Sequence, residues 1–150
     1  RRRYGMPEAT EYHQQGFNCC ESTLMGLCDH LGKTCHFFPR LATGFGGGLG
    51  HTGDVCGAIT GSIMALGLEF GRDQAQDKKT RDDLYLLVEH FINDVKKELG
   101  TIDCIDLIGV PMNTVEGLSE YRKNNMHLKC REFIKTISQI AKEYLDQIRH

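Results

Sequence analysis

The chain has no tryptophan, only three prolines, and no apolar run that reaches the ~20 residues a membrane-spanning helix needs. Its most apolar segment, Ile59 to Phe70, is broken by Gly61, Ser62 and Gly67, so no membrane span is expected. Neither sign of charge dominates: 18 Lys and Arg stand against 20 Asp and Glu, giving a formal net charge of −2. Such a balance provides no field to draw the protein to nucleic acid or an anionic surface, and neither is expected as a partner. No stretch alternates apolar and polar residues over the length of a strand, which argues against a sheet. There is no C-x-x-C, the usual knuckle of a structural zinc site. The Arg1-Arg2-Arg3 run resembles the start of an export signal. However, Tyr4 to Gln15 is polar and holds Pro7, Glu8 and Glu11 where an apolar core is required, so a ragged start is the expectation.

What the chain does have is sulfur and glycine. Seven cysteines in 150 residues is a high density, and an odd number cannot all pair within one chain. Reduced or interconverting thiols fit better than a disulfide framework, pointing to a cytoplasmic setting, with periplasmic display as the alternative. The length suits one domain with a real core. The expected division is an N-terminal arm over 1–16 and a single helical domain over 17–150.

Asn18 followed three residues later by Glu21 has the form of a capping box. Cys20, Leu24, Leu27, Cys28 and Leu31 then recur at helical spacing until Gly32, predicting a helix over about 19–31. Pro39 is tolerated near a helix start, so a short helix is expected at 39–43. Residues 44–53, GFGGGLGHTG, hold six glycines in ten positions and read as a sharply turning loop. After it, Asp54 is placed to cap a central, buried helix carrying Ile59, Ile63, Leu66 and Phe70. Gly57 and Gly61, four apart, leave a groove for a neighbouring backbone, and they are the candidate cofactor-binding positions. The clearest amphipathic pattern runs between Gln74 and Leu99, with Gly100 as its stop and a polar outer face that gives no sign of an interface. A short turn Cys104 to Ile108 behind Asp103, a helical turn near Leu118 to Lys123, and a helix over about 127–148 complete the series. The last has an inner face of Cys130, Phe133, Ile134, Ile137, Ala141, Tyr144 and Ile148. The fold class is therefore all-α: a single-domain bundle of five to six helices with a glycine-rich loop before a central buried helix.

Three cysteines follow a capping Asn or Asp within two residues: Asn18-Cys19, Asp54-Val55-Cys56 and Asp103-Cys104. A helix N-terminus presents unpaired N–H groups and partial positive charge, which favours thiolate over thiol. Any one such cysteine is ordinarily a small apolar core residue; three with the same placement point to redox or metal chemistry. Cys130 is flanked by Lys129 and Arg131, and His127 lies three residues earlier on the same helical face, as a candidate base or metal ligand. His51 in the glycine loop is near Cys56 in sequence, whereas His13, His30, His36, His90 and His150 have nothing beside them to single them out. Gly48-Leu49-Gly50-His51-Thr52-Gly53 matches the dinucleotide fingerprint, but no strand precedes it and no βαβ unit surrounds it, so nucleotide binding is not expected. Cys19, Cys20, Cys28, His30, Cys35 and His36 crowd one region without the spacing of a zinc site.

With these residues placed, the chain resembles a known family. Phe17-Asn18-Cys19, Gly44-Phe45-Gly46-Gly47-Gly48, Val55-Cys56-Gly57-Ala58-Ile59-Thr60-Gly61, Gly100-Thr101-Ile102-Asp103-Cys104 and Cys130 follow in the order seen in the redox-active proteins called the C_GCAxxG_C_C family. The order here is Cys56-Gly57-Ala58 where the family name spells Gly-Cys-Ala. The resemblance implies a small, mainly helical protein whose four characteristic cysteines fall on Cys19, Cys56, Cys104 and Cys130. It also implies association with oxidoreductases or transporters, and in some members a bound group such as an iron–sulfur cluster. Cys20, Cys28 and Cys35 lie outside its pattern. The reading that follows is a thiol-based redox or electron-transfer protein with Cys19 and Cys56, their pKa values depressed, as the reactive pair, and Cys104 and Cys130 resolving the disulfide or forming a second one. The alternative is a metal or iron–sulfur module in which the same four thiolates are ligands, with zinc as another candidate ion and His127 as a further ligand. A homodimer is kept as an open expectation.

Overall fold

The computed structural model describes residues 5–147, and among these eight helices occur with no strand. The Arg1–Arg3 run, Ile148 and His150 lie outside the described residues. The helices are α1 (Ala9–Gln14), α2 (Cys19–Leu31), α3 (Gly46–Leu49), α4 (Gly57–Phe70), α5 (Lys78–Leu99), α6 (Cys104–Ile108), α7 (Val115–Lys123) and α8 (His127–Gln147), with a 3₁₀ turn over Arg40–Phe45. The all-α expectation holds, but the count of five to six helices is corrected to eight. The additions are short: α1, α3 and α6 have six, four and five residues, too few turns for an apolar period to show in the sequence.

Helix α2 begins at its capping box. The Glu21 N–H donates to Asn18 Oδ1 at 2.9 Å and the Asn18 N–H donates to Glu21 Oε1 at 2.9 Å. It ends at Gly32, whose left-handed φ of 70° closes the helix. Helix α4 is central and apolar on most sides, burying Ala58, Ile59, Ala65 and Leu66. Its cap differs from the expected one: the N-cap residue is Cys56, and Asp54 is turned to a different task described below.

Helix α2 packs directly on α4. A Cβ built on Gly57 would lie 2.8 Å from the Cys20 nitrogen and 3.0 Å from Cys19 Cβ, and one on Gly61 would lie 2.8 Å from the Cys20 carbonyl oxygen. The groove expected at Gly57 and Gly61 is thus filled by the α2 backbone. Neither glycine faces space for a cofactor; their missing side chains instead set how closely Cys19 and Cys20 approach α4. Helix α8 completes the core with Ile134, Ile137, Ala141 and Leu145. The N-terminal arm carries α1, docked with Ala9 buried and held by hydrogen bonds from Tyr12 to Asp29 and from Lys142 to Glu8.

Helix α5 is more loosely attached. Phe91 and Val95 are buried against the core, whereas Leu84, Leu87 and Val88 are half-buried and Tyr85 and Leu86 are 66% and 54% exposed. Among the described residues no helix is long and apolar enough to cross a membrane.

Candidate functional site

Two loops do the first part of the assembly. Val55 and Asp103 form an antiparallel bridge, flanked by the Cys56 N–H donating to the Ile102 carbonyl at 2.8 Å and the Cys104 N–H donating to the Asp54 carbonyl at 2.7 Å. Residues 54, 56, 102 and 104 therefore share one face of the pairing, by the two-residue period of extended chain. Cys56 and Cys104 are brought together by main-chain hydrogen bonds alone, and Asp54 serves there through its backbone rather than as a helix cap. The other half comes from helix starts. Cys19 is the first residue of α2, pressed against Gly57, and Cys130 lies in the first turn of α8.

The glycine run supplies the wall between them. Gly47, Gly48, Leu49, Gly50 and His51 have φ of 66°, 67°, 66°, 61° and 68°, a continuous left-handed turn entered from the extended Gly46. It is tied back by the His51 N–H to the Gly46 carbonyl, the Gly53 N–H to that of Gly47 and the Asp54 N–H to that of Gly48, at 3.2, 3.2 and 2.9 Å. At Gly48 the requirement for glycine is steric as well as conformational. A Cβ there would meet Cys104 Cβ at 2.6 Å and the Asp54 carbonyl oxygen at 2.6 Å. Leu49 and His51 hold the same conformation with side chains, at a cost on the order of 1–2 kcal/mol each.

The result is a cavity of about 350 Å³ lined by Cys19, Cys104 and Cys130 together with His13, His51 and Tyr121, and with Gly46, Gly47 and Gly50 along the turn. Asn18 and Thr43 supply polar edges, and Ile108 and Met112 an apolar wall. Cys104 and Cys130 form a small apolar cluster with Ile108 and Val110, against which Cys19 and Tyr121 pack. All four expected cysteines are close enough for each to weigh on the ionisation of Cys19.

Their protonation differs sharply. The Cys19 S–H hydrogen bond, the Tyr121 hydroxyl at 3.4 Å from Cys130 Sγ, and Lys129 together hold the Cys130 thiol down to about 7 against the upward push of burial. Cys19 is pushed well up, by that same hydrogen bond and then by burial. Burial raises Cys104 to about 12. Cys56 rises to about 11, again through burial, only partly opposed by the N–H groups of Ala58 and Ile59 at the start of α4. The expectation of depressed pKa values at Cys19 and Cys56 is therefore corrected. Lost hydration outweighs the helix N-terminus at these enclosed positions, and of the four clustered thiols Cys130 is the one held down, given both a hydroxyl donor and a neighbouring cation.

The remaining sequence candidates fall away from the cluster. Cys20 is buried in the core, accepting the Thr60 hydroxyl at 3.5 Å, and its thiol is raised to about 11 by burial. Cys28 is buried and pushed up to about 12 by burial, with Cys35 half-buried near it. His127 heads α8, half-buried, close to His13 and outside the cavity lining. Two residues with no sequence signal join the site, Tyr121 and His13. Tyr121 lies in a polar segment, and only the return of the chain from α7 into α8 places its hydroxyl on Cys130. His13 arrives with α1, and the Arg131 Nε–H donates to its Nδ1 at 3.1 Å.

Four clustered thiols are the donor chemistry of zinc and iron–sulfur sites. Among the described residues, however, no three His, Cys, Asp or Glu side chains form a group placed to hold a metal ion. Cys19 packs instead against the small apolar cluster of Cys104 and Cys130, and all seven cysteines are free thiols.

A family model described as "Putative redox-active protein (C_GCAxxG_C_C)" matches residues 17–144. No curated protein and no solved structure matches the chain. The matched span contains all four clustered cysteines, the left-handed glycine turn and Tyr121, and on that match the chain belongs to the C_GCAxxG_C_C family.

Proposed function

We propose that the protein is a thiol–disulfide redox protein in which Cys130 is the nucleophile and Cys19 the resolving thiol. The observation that carries this reading is the grouping at the cavity wall: Cys19 and Cys130 line it together, Cys19 packs against the small cluster that holds Cys130, and the Cys130 sulfur lies 3.4 Å from the Tyr121 hydroxyl. A thiol near 7 is about half ionised at neutral pH, and attack is fastest for thiols whose pKa lies near the ambient pH. A poorly ionised neighbour suits the second step, because it stays protonated until the mixed disulfide has formed. Cys56 and Cys104, held on one face of the bridged loops, form the pair to which the disulfide passes or from which electrons return. A reducing cytoplasm, with an oxidoreductase as redox partner, is the setting this chemistry calls for.

The test is anaerobic purification followed by metal analysis, a visible spectrum, and mass-spectrometric mapping after exposure to one equivalent of a small disulfide. The expected protein is colourless and metal-free and yields a Cys19–Cys130 bridge. Stoichiometric iron with a brown chromophore, or stoichiometric zinc, would replace this reading with a ligand role for the same four thiolates.

A further inference from the structure

One residue of the cavity lining, His13, is tied to a cation just behind the wall that thiol exchange as such does not require. Arg131 directly follows Cys130, and among the described residues no carboxylate forms an ion pair with it. Its Nε–H donates to His13 Nδ1 at 3.1 Å, which puts the ring proton of neutral His13 on Nε2. Burial, then Arg131 and His127, hold His13 down to about 4, so at neutral pH the ring offers an N–H donor without a charge of its own. His13 lines the cavity beside Cys19 and Cys130, and Lys129 adds a second cation next to Cys130. Glu21, which bonds two residues of the cavity edge, is engaged by the Asn18 N–H at 2.9 Å and the Thr43 hydroxyl at 2.6 Å. Ile108, Met112 and the Tyr121 ring give the cavity an apolar wall.

We propose that the cavity takes a low-molecular-weight disulfide bearing a carboxylate, its acid group received by the His13–Arg131 pair and its sulfurs laid against Cys130. The inference rests on the thiol-exchange reading above and names its substrate class. Cavity size fits, since small-ligand sites begin at roughly 300 Å³, and a guanidinium is the side chain best matched to a carboxylate. In the first step the Cys130 thiolate attacks one sulfur of the disulfide, forming a Cys130 mixed disulfide and expelling one thiolate. Cys19 then loses its proton, which goes to that expelled thiolate or to solvent, and attacks Cys130 Sγ. The Cys19–Cys130 bond forms and the second small thiolate leaves. Two protein thiols are oxidised and one small disulfide is reduced to two thiols.

The experiment compares single-turnover oxidation of the reduced protein by bis(2-carboxyethyl) disulfide, bis(2-hydroxyethyl) disulfide and cystamine. Each rate is divided by that of free mercaptoethanol with the same disulfide. The normalised rate is expected to be about tenfold higher for the dianionic reagent than for the neutral one, the worth of one charge-assisted contact, and lowest for the cationic reagent. Arg131→Met should abolish the discrimination, bringing the ratio of dianionic to neutral normalised rates from about ten to about one. Should Arg131→Met not fold, 0.5 M salt on the wild-type protein must compress the same preference, because Arg131 is only half-buried. Equal normalised rates in the wild type, or a preference that survives Arg131→Met or high salt, would overturn the proposal and leave thiol exchange standing. Failure of all three disulfides to oxidise Cys130 would instead remove the underlying reading.

Discussion

Removing one oxygen atom, in Tyr121→Phe, tests the electrostatics of the site. The hydroxyl lies 3.4 Å from Cys130 Sγ and is one of the contacts that favour the thiolate. A hydrogen bond to a charged group contributes about 1.5–3 kcal/mol, and a long bond to sulfur belongs at the low end. At about 1.4 kcal/mol per unit, losing it raises the Cys130 pKa by about one unit, from about 7 to about 8. The direction follows from which state the bond serves: the charged form loses a donor, so ionisation moves to higher pH. The thiolate share at pH 7 then falls from about one half to about one tenth, and alkylation of Cys130 slows by about fivefold. Above pH 9 both proteins are ionised there and the rates converge. The assay is the iodoacetamide rate at Cys130, followed by peptide mass spectrometry from pH 5 to 10, with thiolate absorbance as a second readout. Cys56 at about 11 and Cys104 at about 12 titrate too high to obscure the step. A midpoint that does not move, in a Tyr121→Phe protein of unchanged melting temperature, would refute the argument that this hydroxyl holds the thiolate.

Two further outcomes follow from backbone geometry. Gly61→Val places side-chain carbon where a Cβ alone comes within 2.8 Å of the Cys20 carbonyl oxygen. It is expected to cost about 3 kcal/mol in urea unfolding and to raise the Cys130 pKa by shifting Cys19; wild-type stability and reactivity would show that α2 does not depend on this contact. Leu49→Gly relieves a left-handed φ of 66° at a residue 38% exposed. Strain relief of about 1–2 kcal/mol, less the unfolded-state entropy of glycine, should raise stability by about 0.5–1 kcal/mol, and a fall in the thermal midpoint would mean that the leucine side chain holds the turn by packing.

Local features were legible in the sequence wherever one helix contained the whole signal. The Asn18–Glu21 box and Gly32 bound α2 from Cys19 to Leu31, as the spacing predicts, and the Leu84-to-Leu99 stripe gives α5. The four cysteines could be singled out by position, but the way they meet could not. The bridge between Val55 and Asp103 joins segments remote along the chain and too short to alternate. Six glycines announced an unusual turn at 44–53 without fixing its hand, which depends on the steric fit of Gly48 against Cys104 and Asp54. The ionisation pattern inverted for the same reason. Position at a helix start is written in the sequence, whereas the burial that outweighs it at Cys56 and Cys104 is created only when the loops close. Tyr121 and His13 are invisible until α7 and α1 fold back upon α8.

Cys19 and Cys130 are neighbours in space at opposite ends of the domain in sequence. A covalent link between them closes a loop of on the order of a hundred residues, worth about 4–5 kcal/mol in the chain-entropy account. That loop encloses α2 through α7, including the loosely docked first half of α5. Such a bond would girdle the molecule, and proteases would then meet a durable oxidised form and a perishable reduced one, a difference that limited proteolysis of the two forms would read directly.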